Sequence, residues 1–427
     1  MRCTGRRAAG GCGTLATAVA AVALIGGPVR ADLPVEAIGN VTQIALPYSP
    51  HWVVIGDAIG RRAALLDVDD GNLLGLLDSG WGVPQTLHPA SRPEIYVAET
   101  HYSRGSRGVR SDVLTIYAAG SLAPVSEIEL PPKRAFSSTP QAHSALSDDD
   151  RFAAIFNLTP ATSMSIVDLE RRRFVEEIAT PGCGLVYPVG PRRFAALCMN
   201  GSLLLVALDD EGHEIGKERS PPFFDPESDP VTEKAARWRD RWLFVSFEGW
   251  VHPVRFAAGA PEFEERWSLL SDDDRAQDWK IGGAQHFAVH EATGHAYALM
   301  HQGGPDSHKQ GGTEVWVYDL ATRARILRIE LQSPGFTYLG VPIDGGPRWS
   351  WLVDWISNLA MKSTPELGID CIAVTQDDDP RLVTTGLFSG GVATYDALSG
   401  DFLGRVYTGN MTNVVVQAPF RQTGAAP

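Results

Sequence analysis

The sequence predicts an all-β protein built as a seven-bladed β-propeller. Three observations favour this fold class: a strand–turn–strand unit recurs seven times, its copies follow one another at blade-like intervals, and short apolar strands dominate the chain. Hydrophobic residues make up 44% of the 427 residues and charged residues 21%. This composition is typical of a globular protein that can bury a substantial core.

Each unit has an apolar first strand, a turn and an alternating second strand that often ends in Asp. The second strands align at seven anchor positions: Asp67, Tyr117, Asp168, Leu208, Phe256, Asp319 and Asp396. The anchors lie 40 to 51 residues apart until the last two intervals, which are 63 and 77. A four-stranded blade takes roughly 40 to 50 residues. Because each small sheet has two apolar faces, it can bury them only against neighbours, so the blades close into a ring. An open sandwich with a second domain is the alternative.

The first 31 residues read as a secretory signal peptide. Arg2, Arg6 and Arg7 form a positive start, "LATAVAAVALIGG" an apolar stretch, and Ala31 ends a small-residue cleavage site. We expect cleavage there, leaving residues 32–427 as a single propeller domain outside the cytoplasm. Ordinary secretion is favoured over a twin-arginine signal, because the residues around Arg6 and Arg7 match that motif poorly.

The charge balance excludes one large class of partners. The formal net charge is -14, and removal of the signal peptide takes away four arginines and no acid, which lowers it to -18. A chain this acidic is not expected to bind nucleic acid. No segment after the signal is long and apolar enough to span a bilayer, so we expect a soluble periplasmic protein.

The long last interval contains a segment rich in Gly, Pro and Trp, residues 335–368, which we interpret as an inserted loop. Its Trp349, Trp351 and Trp355 have two interpretations. They could form a recognition surface, or they could pack the loop onto its blade, which is the favoured interpretation.

No catalytic signature occurs in the chain: "GxSxG", "HExxH", phosphate-loop and dinucleotide motifs are all missing from the sequence. We therefore predict no catalytic residue and no metal ligand in this chain. His286 and His290 would share a helix face, but the surrounding pattern is strand-like, so a metal site is not favoured. The acidic runs at 147–151, 271–275 and 376–380 lack the Gly and Glu of a calcium loop and are interpreted as exposed turns.

Three cysteines would remain after the signal is removed. Cys183 and Cys198 lie in successive strands joined by a short loop, in a compartment that permits disulfides, and we predict that they are bonded. Cys371 is then predicted to be a buried free thiol.

Several stretches resemble the large, or heavy, subunit of the quinoprotein amine dehydrogenases. They include "ETHYSRGSRGVRSDVLTIY", "EIELPPKRAF", "NLTPATSMSIVDLE" and "WSLLSDDDRAQDWKIGGAQHFAVHEATGHAYALMHQ", in order over residues 95–331. Aromatic amine dehydrogenase resembles the chain more closely than methylamine dehydrogenase does. One departure is Ile281, where relatives usually have Pro.

The resemblance implies a seven-bladed propeller in a complex of two large and two small subunits. Such complexes oxidise primary amines to aldehyde and ammonia with tryptophan tryptophylquinone, which is made from two tryptophans of a cysteine-rich small subunit. With three cysteines left after cleavage, this chain cannot supply that disulfide framework. The quinone is therefore expected in the partner. A small copper protein of the amicyanin or azurin type is the expected electron acceptor.

The resemblance also suggests roles for two groups of residues. In the family, a Phe from an early blade lines the channel to the quinone, and "LLGLLDSGWGVPQ" places Trp81 at that position. The alternative is that Trp81 only packs in a blade turn. Arg104, Arg107 and Arg110 lie in a matched segment and are expected to make ion pairs within this chain or to the small subunit. A solvated loop is the alternative there.

Two rival functions stay open on the sequence alone. One is a non-catalytic periplasmic propeller that binds a protein or ligand. The other is a propeller hydrolase with a metal in its central tunnel, which would need acidic or histidine side chains from several blades to converge.

Overall fold

Seven four- or five-stranded antiparallel sheets form the blades of a β-propeller in the computed structural model. The structure describes residues 43–82, 84–136, 142–256, 260–335, 337–338, 341–343, 346–364, 367–387 and 389–419. All of these belong to one compact unit, Gln43–Pro427. The predicted signal peptide, residues 1–31, lies outside the described residues. The predicted fold class is confirmed.

The first four blades follow one another along the chain. Blade 1 contains β1 (Trp52–Asp57), β2 (Arg62–Asp67) and β3 (Leu73–Asp78); blade 2 contains β4 (Thr86–Leu87), β5 (Glu94–Tyr102), β6 (Arg110–Ala118) and β7 (Pro124–Leu130). Blade 3 contains β8 (Ser144–Leu146), β9 (Phe152–Asn157), β10 (Ser163–Asp168) and β11 (Arg173–Ala179); blade 4 contains β12 (Cys183–Pro188), β13 (Arg193–Cys198), β14 (Leu203–Leu208) and β15 (Glu214–Arg219).

Blades 5 to 7 carry the additional elements. Blade 5 contains β16 (Ala236–Trp238), β17 (Arg241–Val245), β18 (Trp250–Arg255), β19 (Glu262–Phe263) and β20 (Trp267–Ser268), and the helix α1 (Asp272–Ala276) follows it. Blade 6 contains β21 (Trp279–Ile281), β22 (Phe287–His290), β23 (His295–Gln302), β24 (Glu314–Asp319) and β25 (Ala324–Glu330). A small ribbon, β26 (Thr337–Tyr338) and β27 (Val341–Pro342), and the helix α2 (Gly346–Ser363) then precede blade 7, which contains β28 (Cys371–Val374), β29 (Arg381–Thr385), β30 (Gly391–Asp396) and β31 (Phe402–Tyr407).

The last strand closes the ring. β32 (Val415–Gln417) pairs with β1 and becomes the innermost strand of blade 1, with Ile55 opposite Val416. Residues from both ends of the described chain therefore share one sheet. The ring is closed by this pairing, so every blade has a neighbouring blade on each side.

The core consists of seven apolar clusters, one between each pair of neighbouring blades. Blades 1 and 2 share the cluster around Leu65 and Val97, for example, and blades 7 and 1 share the one around Val383 and Ile55. Fully buried residues dominate every cluster. Each sheet thus buries both faces, as the repeat pattern predicted.

The anchor aspartates have a local structural role. Each lies at the end of its strand, where one carboxylate oxygen accepts backbone N–H bonds of the following turn. Asp319 accepts from Ala321 and Thr322 at 2.7 and 3.0 Å, and Asp396 does the same for its own turn. This is the hydrogen bonding of an Asx-turn, which explains why the repeat so often ends in Asp.

Strand direction fixes which loops share a side of the ring. In each sheet neighbouring strands run in opposite directions. The hairpin between the second and third strands therefore lies on one side of the ring. The link that leaves the outermost strand for the innermost strand of the next blade lies on that same side. We call this side the link face. It carries the 79–85 link, the 103–109 hairpin and the 331–370 link, which contains α2.

Glutamine amides join the innermost strands of neighbouring blades. The Gln285 amide donates to the carbonyls of Ile372 and Val416 at 2.9 and 2.6 Å and accepts from the N–H of Val416 at 3.2 Å. It thereby connects blades 6, 7 and 1. The Gln417 amide makes the same kind of contacts with the backbone of Thr86 in blade 2. These side chains satisfy backbone groups that no strand can pair.

The acidic runs contact other parts of the ring. Asp148 pairs with Arg237 of blade 5, and Asp274, within α1, pairs with Arg325 of blade 6 at 2.9 Å. The run at 271–275 is thus a capped helix, and not the simple exposed turn that was predicted. No helix among the described residues is long and apolar enough to cross a membrane.

Gln285→Met should lower the free energy of unfolding by about 2–3 kcal/mol, because it leaves buried backbone groups of blades 7 and 1 without partners. Gln302→Met is the matched control, since Gln302 is exposed and makes one hydrogen bond, to the carbonyl of Gln277. Urea denaturation measures both. Equal stability of the two variants would contradict a role for Gln285 in joining the blades.

His51 should make the junction of blades 7 and 1 sensitive to pH. Its Nδ1 lies 2.5 Å from Asp69 and its Nε2 2.9 Å from Asp377. Burial alone would lower the pKa of His51, and the charge of Arg381 opposes protonation too. The hydrogen bond to Asp69 and the charges of both carboxylates outweigh these effects, so the pKa is raised.

Because the pKa of His51 is higher in the folded state, its charged form stabilises the fold at pH values below the unfolded-state pKa of about 6.5. This stabilisation is lost as the pH rises through the higher folded-state pKa. The difference in melting temperature between the wild type and His51→Gln should therefore be largest near pH 6 and should shrink at alkaline pH. A difference that grows with pH would exclude this interpretation.

Candidate functional site

A cavity of about 540 Å³ opens between blades 1 and 2 on the link face. Its blade 1 wall comes from residues 60–62, at the β1–β2 turn, and from residues 76–78, at the end of β3. Its opposite wall comes from Trp81, His101, Tyr102 and Gly105. The cavity therefore combines the 79–85 link with the 103–109 hairpin, two segments that are separate in the sequence.

The Trp81 side chain lines the cavity and contacts both of its sides. Its indole N–H donates to the carbonyl of Gly105 at 2.8 Å, and the Tyr102 ring packs against it edge-on at 6.4 Å between centroids. The guanidinium of the exposed Arg61 lies 3.5 Å from the centroid of the indole. The indole thus joins the 103–109 hairpin to blade 1 while one part of it faces the cavity.

The backbone holds Trp81 in place. Its N–H donates to the carbonyl of Thr100 at 2.8 Å, and its carbonyl accepts from the buried guanidinium of Arg134 at 2.8 Å. Gly80 precedes it with a φ of +59°, and an added Cβ there would lie 2.7 Å from the Thr100 carbonyl oxygen. Only glycine suits such a position, so the tight turn fixes the direction of the indole. Burial lowers the pKa of Arg134 to about 10.

A carboxyl–imidazole pair lies beside the Trp81 wall. The buried Glu99 carboxylate accepts from the hydroxyls of Thr115 and Tyr117 at 2.6 and 2.9 Å and lies 3.2 Å from Nε2 of His101. Burial raises the pKa of Glu99 despite these hydrogen bonds. His101 lines the cavity. The pair thus places a carboxyl group and an imidazole within hydrogen-bonding distance of each other at the cavity wall.

Sequence reasoning missed Glu99 and His101. The available signal was their i, i+2 spacing in "EIYVAETHY", which puts both side chains on one face of β5. That signal is weak, because alternating polar residues also occur on any solvated strand face.

The three predicted arginines separate into two kinds. Arg110 lies at the start of β6 and makes a bidentate ion pair with the buried Asp112, at 2.9 and 2.7 Å. Arg104 and Arg107 lie in the 103–109 hairpin, which we call the arginine loop, and both are exposed. Within the described residues neither has an ion pair. Arg110 is therefore engaged within its own chain, whereas the other two guanidinium groups face solvent.

The cysteines agree with the prediction. Cys183 and Cys198 lie opposite each other on β12 and β13 and are joined by a disulfide. Cys371 is a buried free thiol, and burial raises its pKa. These residues lie in blades 4 and 7, away from the Trp81 cavity.

The histidines considered for metal binding have other contacts. His286 is buried, with Nε2 3.1 Å from the hydroxyl of Thr232, and burial lowers its pKa. His290 lies 2.9 Å from both the Thr293 hydroxyl and the carbonyl oxygen of Asp377. Across the described ranges, no three His, Cys, Asp or Glu side chains are grouped as metal ligands would be.

The segment predicted as an inserted loop contains a helix. α2 occupies residues 346–363, and Trp349, Trp351 and Trp355 are all more than half exposed on it. The favoured interpretation, that these aromatic residues pack onto the blade, is therefore wrong. An 18-residue helix can present one face to its blade and another to solvent. The residue pattern alone does not show which of these faces carries the tryptophans.

Comparison with known proteins gives consistent results. The family model of the methylamine dehydrogenase heavy chain matches residues 57–341, a range that includes the cavity and the arginine loop. The methylamine dehydrogenase heavy chain of Methylophilus methylotrophus is 24% identical over 343 residues, which cover 80% of this chain and 76% of that protein. The corresponding chain of Methylobacillus flagellatus is 25% identical over 343 residues, covering 80% and 77%. The predicted closer likeness to aromatic amine dehydrogenase stays a prediction.

Among solved structures, a functionally unknown protein from Desulfotomaculum acetoxidans superimposes with a TM-score of 0.53. The alignment covers 86% of this chain and 98% of that one at 12% identity. At this identity the likeness concerns the fold alone.

Proposed function

The chain belongs to the methylamine dehydrogenase heavy chain family, and we propose that it is the large subunit of a periplasmic, tryptophan tryptophylquinone-dependent amine dehydrogenase. Its partner would be a small quinone-bearing subunit in a two-plus-two heterotetramer. The complex would oxidise primary amines to aldehyde and ammonia and pass electrons to a small copper protein of the amicyanin or azurin type.

The observation that carries this proposal is the family match across both walls of the Trp81 cavity. The arginine loop lies beside that cavity with two guanidinium groups free of ion pairs in the described residues. Guanidinium groups form strong, directional bonds to carboxylates and to backbone carbonyls, which suits a contact with another chain. A partner docked on this loop would cover the cavity, so one surface would serve both assembly and substrate entry.

The cavity has features suited to a primary amine. Such amines are cations near neutral pH, and Asp78 and Glu99 place carboxyl groups at or next to the wall. The Trp81 indole and the Tyr102 ring offer apolar surface to an alkyl or aryl group. The quinone, when present in the partner, supplies the oxidising chemistry. This chain would bind and orient the amine, and the Glu99–His101 pair would hold a proton near it.

Purification of the native complex from the producing cells tests this function. The expected result is co-purification with a small cysteine-rich chain, visible quinone absorbance and amine-dependent dye reduction. A colourless preparation without a small subunit would instead favour a non-catalytic propeller that binds a protein or ligand.

Trp81→Ala should change which amines the complex accepts. Removal of the indole widens the cavity, so the ratio of kcat/KM for a bulky amine to that for methylamine should rise about tenfold or more. Steady-state kinetics with a series of primary amines measure this ratio. Trp81→Phe is the control that keeps a ring but loses the bond to Gly105. If the ratio is unchanged in Trp81→Ala, Trp81 does not control access.

Arg107→Ala should weaken the association of the large and small subunits by about tenfold or more, since a hydrogen bond to a charged group contributes about 1.5–3 kcal/mol. Titration of one subunit with the other, followed by calorimetry at two salt concentrations, measures the effect. The matched control is Arg173→Ala, because Arg173 is exposed at the start of β11 and has no ion pair in the described part of the chain. Equal affinity of both variants would place the interface elsewhere.

A further inference from the structure

The outward face of α2 is apolar, which reverses the usual pattern of a surface helix. Trp349 is 52% exposed, Trp351 65%, Trp355 59%, Ile356 50% and Leu359 51%. At 100° per residue these side chains occupy one continuous arc of about 160°. A helix that only covers its own blade would place polar residues on this arc.

The opposite face of α2 is firmly attached to the propeller. Ser357 and Met361 are buried, and Met361 belongs to the apolar cluster between blades 6 and 7. The amide oxygen of Asn358 accepts from the backbone N–H of Ser333 at 2.7 Å, and Asp354 pairs with Arg405 of β31 at 2.5 Å. The helix is therefore held with its tryptophans outward.

The exposed area is large enough to need an explanation. A tryptophan side chain presents about 150–250 Å², so the five side chains together expose on the order of 500 Å². Two copies of this surface in contact would bury about 1,000 Å² in total, which is the lower limit for a specific protein interface. Apolar patches of this size mark interaction sites on soluble proteins.

The charges around the face permit contact between two identical chains. The protein carries a net charge of -14, so two copies of it repel each other overall. The arc on α2 has no acidic residue. Its charged members are Arg348 and Lys362, and Lys362 is already paired with Glu330 of β25. Like-charge repulsion, which opposes self-association elsewhere on this chain, is weak here.

The stripe is also self-complementary. Trp351, Trp355 and Leu359 follow one another at i, i+4 and i+8, and such rows are the ridges of the commonest helix–helix packing, at about −50°. A two-fold axis at Trp355 places it against its own copy and Trp351 against Leu359 of the other chain. The same axis brings Arg348 towards Lys362 of the other chain, whose charge is compensated by Glu330. An isologous contact of this kind closes on itself and produces a dimer.

We propose that α2 is the surface through which two copies of this chain associate about a two-fold axis. The helix lies beyond the family match, which ends at residue 341. The proposal is compatible with a two-plus-two complex but does not rest on it, because every residue involved belongs to this chain.

Sedimentation velocity on the mature large subunit without any partner tests the proposal. A concentration-dependent dimer is expected, and the double variant Trp351→Ser/Trp355→Ser should weaken dimerisation by about 100-fold or more with an unchanged melting temperature. Ile215→Ser is the matched control, since Ile215 is an exposed apolar residue of β15 and should leave the dimer intact. A wild type that stays monomeric at about 100 μM, well above the micromolar affinity of a weak specific contact, would overturn the proposal.

A cross-linking experiment keeps the test independent of folding defects. Trp355→Cys lies on the proposed two-fold axis and should form a disulfide-linked dimer under mild oxidation, whereas Ile215→Cys should not.

Two other outcomes would also overturn the proposal. Loss of small-subunit binding in the double variant, with a monomeric wild type, would assign α2 to that subunit. Flotation of the wild type, but not of the double variant, with zwitterionic phosphatidylcholine vesicles would assign it to a membrane surface.

These results are separable from the proposed enzymatic function. Amine-dependent dye reduction by the native complex tests the enzyme, while self-association is measured on the large subunit alone. An inactive complex with a dimeric large subunit would leave the α2 contact established, and an active complex with a monomeric large subunit would refute it.

Discussion

Closure of the ring through β32 and β1 is the interaction on which the rest of the structure depends. Each blade has two apolar faces, and each of the seven core clusters lies between two blades. The cluster between blades 7 and 1 forms only when residues near the end of the described chain return to residues near its beginning. Three aligned residue pairs, Val54 with Gln417, Ile55 with Val416 and Gly56 with Val415, make that connection. Without it two apolar sheet faces would meet water, at a cost of about 25 cal/mol for each Å² exposed.

The polar groups near the ring's centre follow from the same constraint. The innermost strands are short, and they belong to separate sheets, with a backbone bridge between Gln285 of blade 6 and Cys371 of blade 7. Their inner edges leave backbone groups that water cannot fully reach, so Gln285 and Gln417 use their side-chain amides in place of a further strand. A glutamine amide suits this purpose because it both donates and accepts hydrogen bonds, as a peptide group does. Burial of polar residues here is thus a consequence of closure.

Because closure fixes the blades, the link face can vary without disturbing the core. Trp81, the arginine loop and α2 all belong to links or hairpins of this face, and each is attached by backbone or side-chain contacts to a blade or its link. The side chains that remain exposed, Arg104 and Arg107 near the cavity and the tryptophans of α2, differ in character. The first group suits charge-assisted hydrogen bonds and the second suits apolar burial, which is consistent with two different partners on two parts of the same face.

The sequence alone determined the fold, because a propeller repeats one local unit and the repeat appears directly as apolar strands and anchor residues such as Asp67 and Asp396. It also determined the Cys183–Cys198 bond, since both cysteines lie in adjacent strands of one blade. The tertiary structure decided the contacts between blades and links. Arg110 has an ion-pair partner, Asp112, whereas Arg107 has none in the described residues. His101, at the cavity wall, lies beside Glu99. Trp351 and Trp355 face solvent. Strand periodicity reports which residues share a face of one sheet, but the neighbour that covers that face depends on ring closure, which brings together residues hundreds of positions apart.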